Sequence, residues 1–163
     1  MSMGRKMASV ALPPSELYER DYYTWIQEQV RALRERRVED LDWPNLAEEI
    51  EDLGKSEKRA LKSRIAKLLE HLLKMAYASD RVWQSNSRGW ELSLENAREA
   101  AGELVEENPG LRPFLNEIFA SAYRTARRDA LRALRMPNSA IPETPSWTLE
   151  QVIDHRFVPK SES

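Results

Sequence analysis

An arginine and a histidine on one helix are the clearest pair of chemically active residues in this sequence. The segment from Arg64 to His71 reads RIAKLLEH and lies in a stretch with helical periodicity. On an α-helix this spacing is nearly two turns, so both side chains fall on one strip, about 10 Å apart along the axis. An imidazole can act as a general acid or base, and a guanidinium can stabilise negative charge in a transition state. The pair therefore indicates phosphoryl chemistry as one candidate use of this helix.

Three interpretations of His71 stay open at the level of sequence. The spacing from Arg64 is similar to the loose spacing in HEPN-type ribonucleases, where the histidine serves as general acid or base. Alternatively, His71 lies at the margin of a leucine stripe and pairs with a carboxylate such as Glu49. The third interpretation makes Glu49 and His71 metal ligands, although the chain lacks the Glu-x-x-His motif of di-iron bundles. The candidate catalytic residues are thus His71, Arg64 and Glu49, and the candidate metal ligands are Glu49 and His71.

Glu49 belongs to the acidic stretch NLAEEIEDLG, which spans residues 45–54. On a helical wheel, Leu46, Ile50 and Leu53 form one apolar stripe that should face the core. Glu49 borders this stripe and would need a partner, because burying an unpaired carboxylate is costly. The other three carboxylates point away and are interpreted as a solvated face: Glu48, Glu51 and Asp52.

Hydrophobic periodicity predicts helices along most of the chain. They cover Tyr18–Val38, a segment from Pro44 that Gly54 breaks or kinks, Ser56–Ser79, Trp90–Glu107, Leu111–Arg135 and Leu149–Asp154. Ser15 is the predicted cap of the first helix, and Asp80–Gly89 is a predicted loop. Thr148 and Gln151 have the spacing of a capping box before the last helix. Because no segment alternates with period two, the predicted class is all-α, an antiparallel helical bundle with a short C-terminal helix.

The 163 residues predict one helical domain over residues 15–158. Flexible tails are expected at residues 1–14 and 159–163. There is no cysteine, which excludes disulfides and thiol chemistry and is compatible with a reducing cytoplasm. No apolar run approaches the length of a membrane span, so a cytoplasmic protein with no membrane partner is expected.

Charge and motif content narrow the partners and cofactors. The net charge is −2, which is too small to indicate nucleic acid or a membrane surface. Basic residues concentrate in 55–74 and 112–135, while 90–107 is acidic, a pattern more typical of pairing between helices than of a nucleic-acid footprint. Nucleic-acid binding is therefore the less favoured of the open alternatives. Neither a phosphate-cradling glycine loop nor a serine nucleophile elbow occurs, and no cofactor is expected.

Several short signatures together resemble a bacterial family. They are Tyr18-x2-Asp21-Tyr22-Tyr23-x-Trp25, Leu41-Asp42-Trp43-x-Asn45-Leu46-x-Glu48-Glu49-Ile50-Glu51, His71-Leu72-Leu73-Lys74, Leu111-Arg112-Pro113 and Ile141-Pro142. Over roughly residues 16–158 the chain resembles the uncharacterised "domain of unknown function family 29". The resemblance implies an all-helical, intracellular bacterial protein, and it brings no activity, substrate or cofactor with it.

The function expected from these observations is a non-enzymatic, cytoplasmic helical interaction module. It would bind a protein partner or a second copy of itself. Aromatic residues near the N-terminus would support this if they are exposed: Tyr22, Tyr23 and Trp25. The alternative is an RNA-cleaving or RNA-binding helical domain that uses Arg64 and His71.

Overall fold

The computed structural model describes residues 12–159, and in this range the chain contains six α-helices and no β-strand. The helices are α1 Pro14–Arg20, α2 Tyr22–Arg34, α3 Trp43–Tyr77, α4 Asp80–Glu107, α5 Leu115–Leu134 and α6 Leu149–Ile153. The predicted all-α class is confirmed. None of these helices combines the length and apolar character needed to cross a lipid bilayer.

The chain divides into two compact units, Met1–Gly54 and Lys55–Ser163. The described part of the first unit, 12–54, contains α1, α2 and the start of α3. The described part of the second unit, 55–159, contains the rest of α3 and all later helices. The predicted tails at 1–14 and 159–163 fall largely outside the described residues; within them, Pro14 begins α1 and Pro159 is buried.

The predicted Tyr18–Val38 helix is wrong in its boundaries, because the chain forms two helices that meet at Asp21. Asp21 has φ −148°, outside the helical region, and its Oδ1 accepts a hydrogen bond from the Thr24 backbone N–H at 3.1 Å. A side chain that caps its own downstream helix favours a new helix start over continuation. Ser15 is not the cap, since α1 begins at Pro14, a residue that suits a first helical position.

The predicted break at Gly54 is also wrong, because α3 continues through it from Trp43 to Tyr77. No described glycine has a positive φ, so Gly54 does not use the freedom that would end a helix. A single interior glycine weakens a helix by about 0.5–1 kcal/mol relative to alanine. The helical segments of α3 on both sides of Gly54 are long enough to offset a cost of this size.

The segment predicted as a loop, Asp80–Gly89, is instead the first third of α4. Its polar side chains bond back to the helix, as Asn86 Nδ2 does to the Val82 carbonyl at 2.8 Å. Trp83 and Trp90, seven residues apart, pack edge to face and lie against the core. Tertiary packing of these two indoles therefore overrides the polar composition that suggested a loop.

The second unit is built on an antiparallel pair, α3 and α4. The Lys74 ammonium lies over the Trp90 ring, while the Arg64 guanidinium reaches the Ala100 carbonyl, so positions ascend on one helix as they descend on the other. Helix α5 completes the core with an alanine-rich face that includes Ala122, Ala126 and Ala130. Small side chains let helices approach closely.

Both ends of α5 differ slightly from the predicted Leu111–Arg135 helix. A 3₁₀ helix, Pro109–Phe114, precedes it and contains Pro113, which lacks the N–H an α-helix would use. At the other end, Arg135 adopts a left-handed conformation with φ 54° and closes the helix. The capping box before α6 is confirmed, with Thr148 and Gln151 bonding each other's backbone N–H.

Candidate functional site

Glu49 lies at the centre of an aromatic cluster in the first unit. Its two carboxylate oxygens accept hydrogen bonds from the hydroxyls of Tyr18, at 2.8 Å, and Tyr22, at 2.6 Å. The bond from Tyr18 to Glu49, followed by burial, raises the pKa of Tyr18 to about 12, because a phenolate beside the carboxylate is disfavoured. The expectation that Glu49 needs a partner is met by two phenols. The contact fastens α1 and α2 to the start of α3.

Asp42 makes a second carboxylate-centred contact in the same unit. It is only 8% exposed, and its Oδ2 accepts from the indole N–H of Trp25 at 3.2 Å and from Asn45 Nδ2 at 2.7 Å. The Asp42 backbone N–H donates to the Gln29 side chain at 2.8 Å. Asp42, immediately before α3, and Glu49, within α3, therefore place two carboxylates on the inner side of the start of this helix. Trp25 is therefore a core residue and not part of an exposed aromatic surface.

Two of the three side chains in the predicted core stripe, Ile50 and Leu53, face outward, and the third, Leu46, is half-buried. Ile50 is 67% exposed and Leu53 is 68% exposed, while Trp43 is 58% exposed. The donors on Tyr18, Tyr22 and Trp25 satisfy the carboxylates, so the polar face packs inward and the apolar one does not. We call Trp43, Ile50 and Leu53 the apolar strip. Glu48, Glu51 and Asp52 are exposed, as predicted.

His71 belongs to the second unit and is buried, with 7% of its surface exposed. Its Nδ1 atom has no hydrogen-bond partner. Burial, with the positive charges of Lys74 and Lys67, lowers the pKa of His71 to about 4, although Glu70 opposes this. The imidazole is therefore neutral near pH 7. An imidazole with this pKa is rarely protonated near pH 7, so it seldom has a proton to donate as a general acid.

Arg64 lies two turns before His71 on α3, but its surroundings differ. Its side chain is exposed and donates from Nη1 to the Ala100 carbonyl at 3.3 Å. One member of the pair is thus at the surface and the other in the core. Their proximity along the helix axis, which the sequence predicted, does not by itself bring both to one cleft.

The two candidate metal ligands belong to different units. Two tyrosines contact Glu49, and the charges of Lys67, Glu70 and Lys74 act on His71. Within residues 12–159 no group of three or more histidine, aspartate or glutamate side chains is arranged to hold a metal ion.

A mixed-charge groove runs along the outer side of α3 and α5 in the second unit. Its volume is about 500 Å³, and Arg59, Lys62 and Lys67 line it. Glu70 and Asp129 line it as well, and Glu70 bonds Lys67 at 2.9 Å and Lys74 at 3.1 Å. These pairs hold the pKa of Glu70 below its ordinary value despite its burial. Acidic residues therefore neutralise part of the positive charge that would attract a phosphate.

Two arginines that the sequence analysis did not single out hold the C-terminal segment. Arg98 is 1% exposed, and its guanidinium donates to the carbonyls of Val152, His155 and Phe157. Arg127 donates to the Ile141 carbonyl at 2.9 Å and also contacts Asn138. Arg98 falls on the inner face of α4, between Leu94 and Ala101. Its place in an apolar face was the signal that could have identified it.

Comparison with protein families gives a match over most of the chain. The family model described as "Domain of unknown function DUF29" matches residues 17–158. No curated protein and no solved structure matches the chain.

Proposed function

Because the chain belongs to the DUF29 family, whose description names no activity, we propose a function from its own geometry: a helical module that binds another protein through the apolar strip. The observation that carries the proposal is the exposure of about two thirds of Ile50 and Leu53 on an ordered helix. Exposed apolar side chains that cluster on one face mark interaction surfaces more often than isolated ones do.

The spacing of the strip favours a helix as the partner element. Trp43, Leu46, Ile50 and Leu53 follow one another at intervals of three, four and three residues, which is the a/d pattern of a coiled-coil seam. Leu46 is half-buried at the edge of this seam. A seam of this width fits one amphipathic helix, which would bury the apolar strip against its own apolar face.

Charge favours a basic partner over a second copy. The segment from Trp43 to Gly54 contains four acidic residues and no basic one. Two such segments side by side would place like charges near each other, which costs binding energy, whereas flanking lysines or arginines on the partner would be attracted. The proposed occupant is therefore a basic amphipathic helix of another protein. The bacterial and cytoplasmic setting expected from the sequence stays a prediction that accompanies this proposal.

Two observations weigh against the alternative of an RNA-cleaving domain. His71 is buried and neutral, and the Arg64 guanidinium already donates a hydrogen bond to a main-chain carbonyl. An acid–base pair for phosphoryl chemistry would need both groups to reach one substrate atom. The observations favour the interaction module for this reason.

The test compares two surface substitutions of the same kind in the tagged chain. Ile50→Asp places a charge within the apolar strip, and Leu92→Asp places one on α4, where Leu92 is 65% exposed. Proteins captured from host lysate are quantified for wild type and both variants. We expect a specific partner whose recovery falls at least about tenfold with Ile50→Asp and is unchanged with Leu92→Asp. Recovery should also fall as salt concentration rises.

Two results would contradict the proposal. One is a partner that binds the Ile50→Asp variant as well as it binds wild type. The other is a purified wild-type chain that sediments as a dimer and becomes a monomer with Ile50→Asp, which would replace the foreign helix by a second copy. RNA recovered with wild type and lost with Arg64→Ala would instead favour the alternative function.

A further inference from the structure

The second unit contains an apolar cavity of about 250 Å³ that is distinct from the apolar strip. Its walls are aliphatic side chains from four helices: Ile65, Leu68, Ala101, Leu115, Leu149 and Ile153. Well-packed interiors leave few voids larger than a water molecule, so a space of this size needs an explanation. A cavity of about 150 Å³ with similar walls accommodates benzene, whereas drug-sized ligands need about 300 Å³ or more. The cavity therefore suits one ring or one branched aliphatic group.

Gly102 keeps this cavity open. It lies in the interior of α4 and lines the cavity, and a Cβ atom added to it would meet no atom within 4 Å. Glycine is an unfavourable residue for a helix interior, and no positive φ requires it here. A larger side chain at this position would project into the space that the aliphatic walls enclose.

Two opposite charges stand at the rim of the cavity. Glu106 and Arg112 both line it and are both exposed. Within the described part of the chain, neither side chain forms a hydrogen bond or an ion pair. A fatty acid would satisfy Arg112 but would meet the negative charge of Glu106. A ligand with both an ammonium and a carboxylate would satisfy both charges.

We infer that this cavity binds a free α-amino acid with an apolar side chain. The side chain fills the space between α3, α4, α5 and α6, the carboxylate pairs with Arg112, and the ammonium pairs with Glu106. The inference is independent of the proposed docking face, because all residues of the cavity belong to the second unit.

Calorimetric titration of the full-length protein tests the inference with a matched set of probes. The first probes are α-amino acids that share the ammonium and carboxylate groups and differ in their apolar side chains: L-phenylalanine, L-leucine, L-methionine and L-tryptophan. 3-Phenylpropionate lacks the ammonium, phenethylamine lacks the carboxylate, and glycine lacks the apolar side chain. We expect saturable binding of at least one apolar amino acid, with its two truncated analogues about tenfold weaker or worse and glycine inactive.

Three variants locate the site. Gly102→Leu should abolish binding by filling the cavity, while Gly89→Leu, at another glycine of α4 with open space around it, should retain it. Arg112→Gln should weaken phenylalanine about tenfold and leave phenethylamine unchanged. Circular dichroism of each variant establishes that it is folded. The absence of saturable binding by all four amino acids at millimolar concentration would overturn the inference. Equal binding of phenylalanine and 3-phenylpropionate, or unchanged binding by a folded Gly102→Leu variant, would overturn it too.

Discussion

Each of the two units is stabilised internally by polar side chains, and those side chains carry opposite charge in the two units. In the first unit, the carboxylates of Asp42 and Glu49 accept hydrogen bonds from aromatic side chains. In the second, the guanidiniums of Arg98 and Arg127 donate to main-chain carbonyls of the C-terminal segment. The carboxylates join helix to helix, whereas the guanidiniums join helices to a segment with little regular structure.

The units also differ in how much apolar surface supports these contacts. Of the described residues in the first unit, only Trp25 and Ala32 are buried and hydrophobic. The second unit contains a continuous apolar cluster from α3 to α6. A unit with a small core depends on its polar contacts, since burial of apolar area is the main favourable term in folding. The unit with the smaller core is therefore the one that exposes the apolar strip to solvent.

Replacing Arg98 should have the largest effect on stability, and this effect should be on the second unit. We expect Arg98→Met to lower the free energy of unfolding by about 3–4 kcal/mol, because three main-chain carbonyls, that of the buried Val152 among them, lose a charged donor. Urea unfolding followed by circular dichroism measures this change. Arg124→Met, at an exposed arginine of α5, is the matched control and should change stability by less than about 0.5 kcal/mol. Equal effects of the two substitutions would remove the distinction between a structural and a surface guanidinium.

Acid should weaken the second unit through His71. Its pKa is about 4 in the folded protein and 6.5 in the unfolded chain, so the unfolded chain binds the proton first as pH falls. The contribution of His71 to the free energy of unfolding should therefore be constant above pH 6.5. It should decrease between pH 6.5 and 4, by up to about 3 kcal/mol. Urea unfolding at several pH values between 7 and 5 measures the slope. In a folded His71→Gln variant the part of the slope due to this residue should vanish, and an unchanged slope would contradict the assignment.

Truncating Glu49 should loosen the first unit and leave the second intact. We expect Glu49→Ala to lower the pKa of Tyr18 from about 12 toward its ordinary value, because the bond to the carboxylate is the main cause of the shift. Amide hydrogen exchange in α1 should become about tenfold faster, while exchange in α4 and α5 stays the same. NMR titration of tyrosine ring carbons and exchange mass spectrometry check both points. Glu48→Ala, at an exposed neighbour, is the control: it should leave exchange in α1 unchanged and lower the pKa of Tyr18 far less than Glu49→Ala does, because the Glu48 charge is only a minor cause of the shift.

The smallest expected effect is the change in stability when one glycine in either unit is replaced. Gly54 and Gly102 both lie inside helices with open space around them. Replacing either with alanine should stabilise the protein by about 0.5–1 kcal/mol, because alanine loses less backbone freedom on folding. Thermal unfolding measures the gain. A loss of stability in either variant would show that the glycine is needed for close approach rather than for the space beside it.

The sequence carried enough information to predict the class, since apolar periodicity marks the core of α3, α4 and α5 and turn chemistry marks their ends. It predicted the capping box because that motif is local. It failed at Asp80–Gly89, where packing of Trp83 and Trp90 decides the structure. It also failed at the start of α3, because a helical wheel assumes that the apolar side faces inward. Hydroxyls of Tyr18 and Tyr22, which are distant in sequence, reverse that choice.

The candidate site could be predicted only in part. That Glu49 needs a partner follows from its own chemistry, but the identity of the partner depends on how α1 and α2 meet α3. The burial of His71 and the role of Arg98 depend in the same way on which residues of other helices surround them. The cavity beside Gly102 has no signature in sequence, because four separate helices enclose it.

The most direct test of the account is site-specific photocrosslinking in living cells at position 50, with position 92 as the control. A benzophenone amino acid replaces Ile50 in one version of the chain and Leu92 in the other, both of which are exposed. The account predicts a crosslinked adduct from position 50 but not from position 92, with the attachment point in a basic amphipathic helix of another protein. Equal crosslinking from both positions, or an adduct from position 50 that contains only a second copy of this chain, would contradict it.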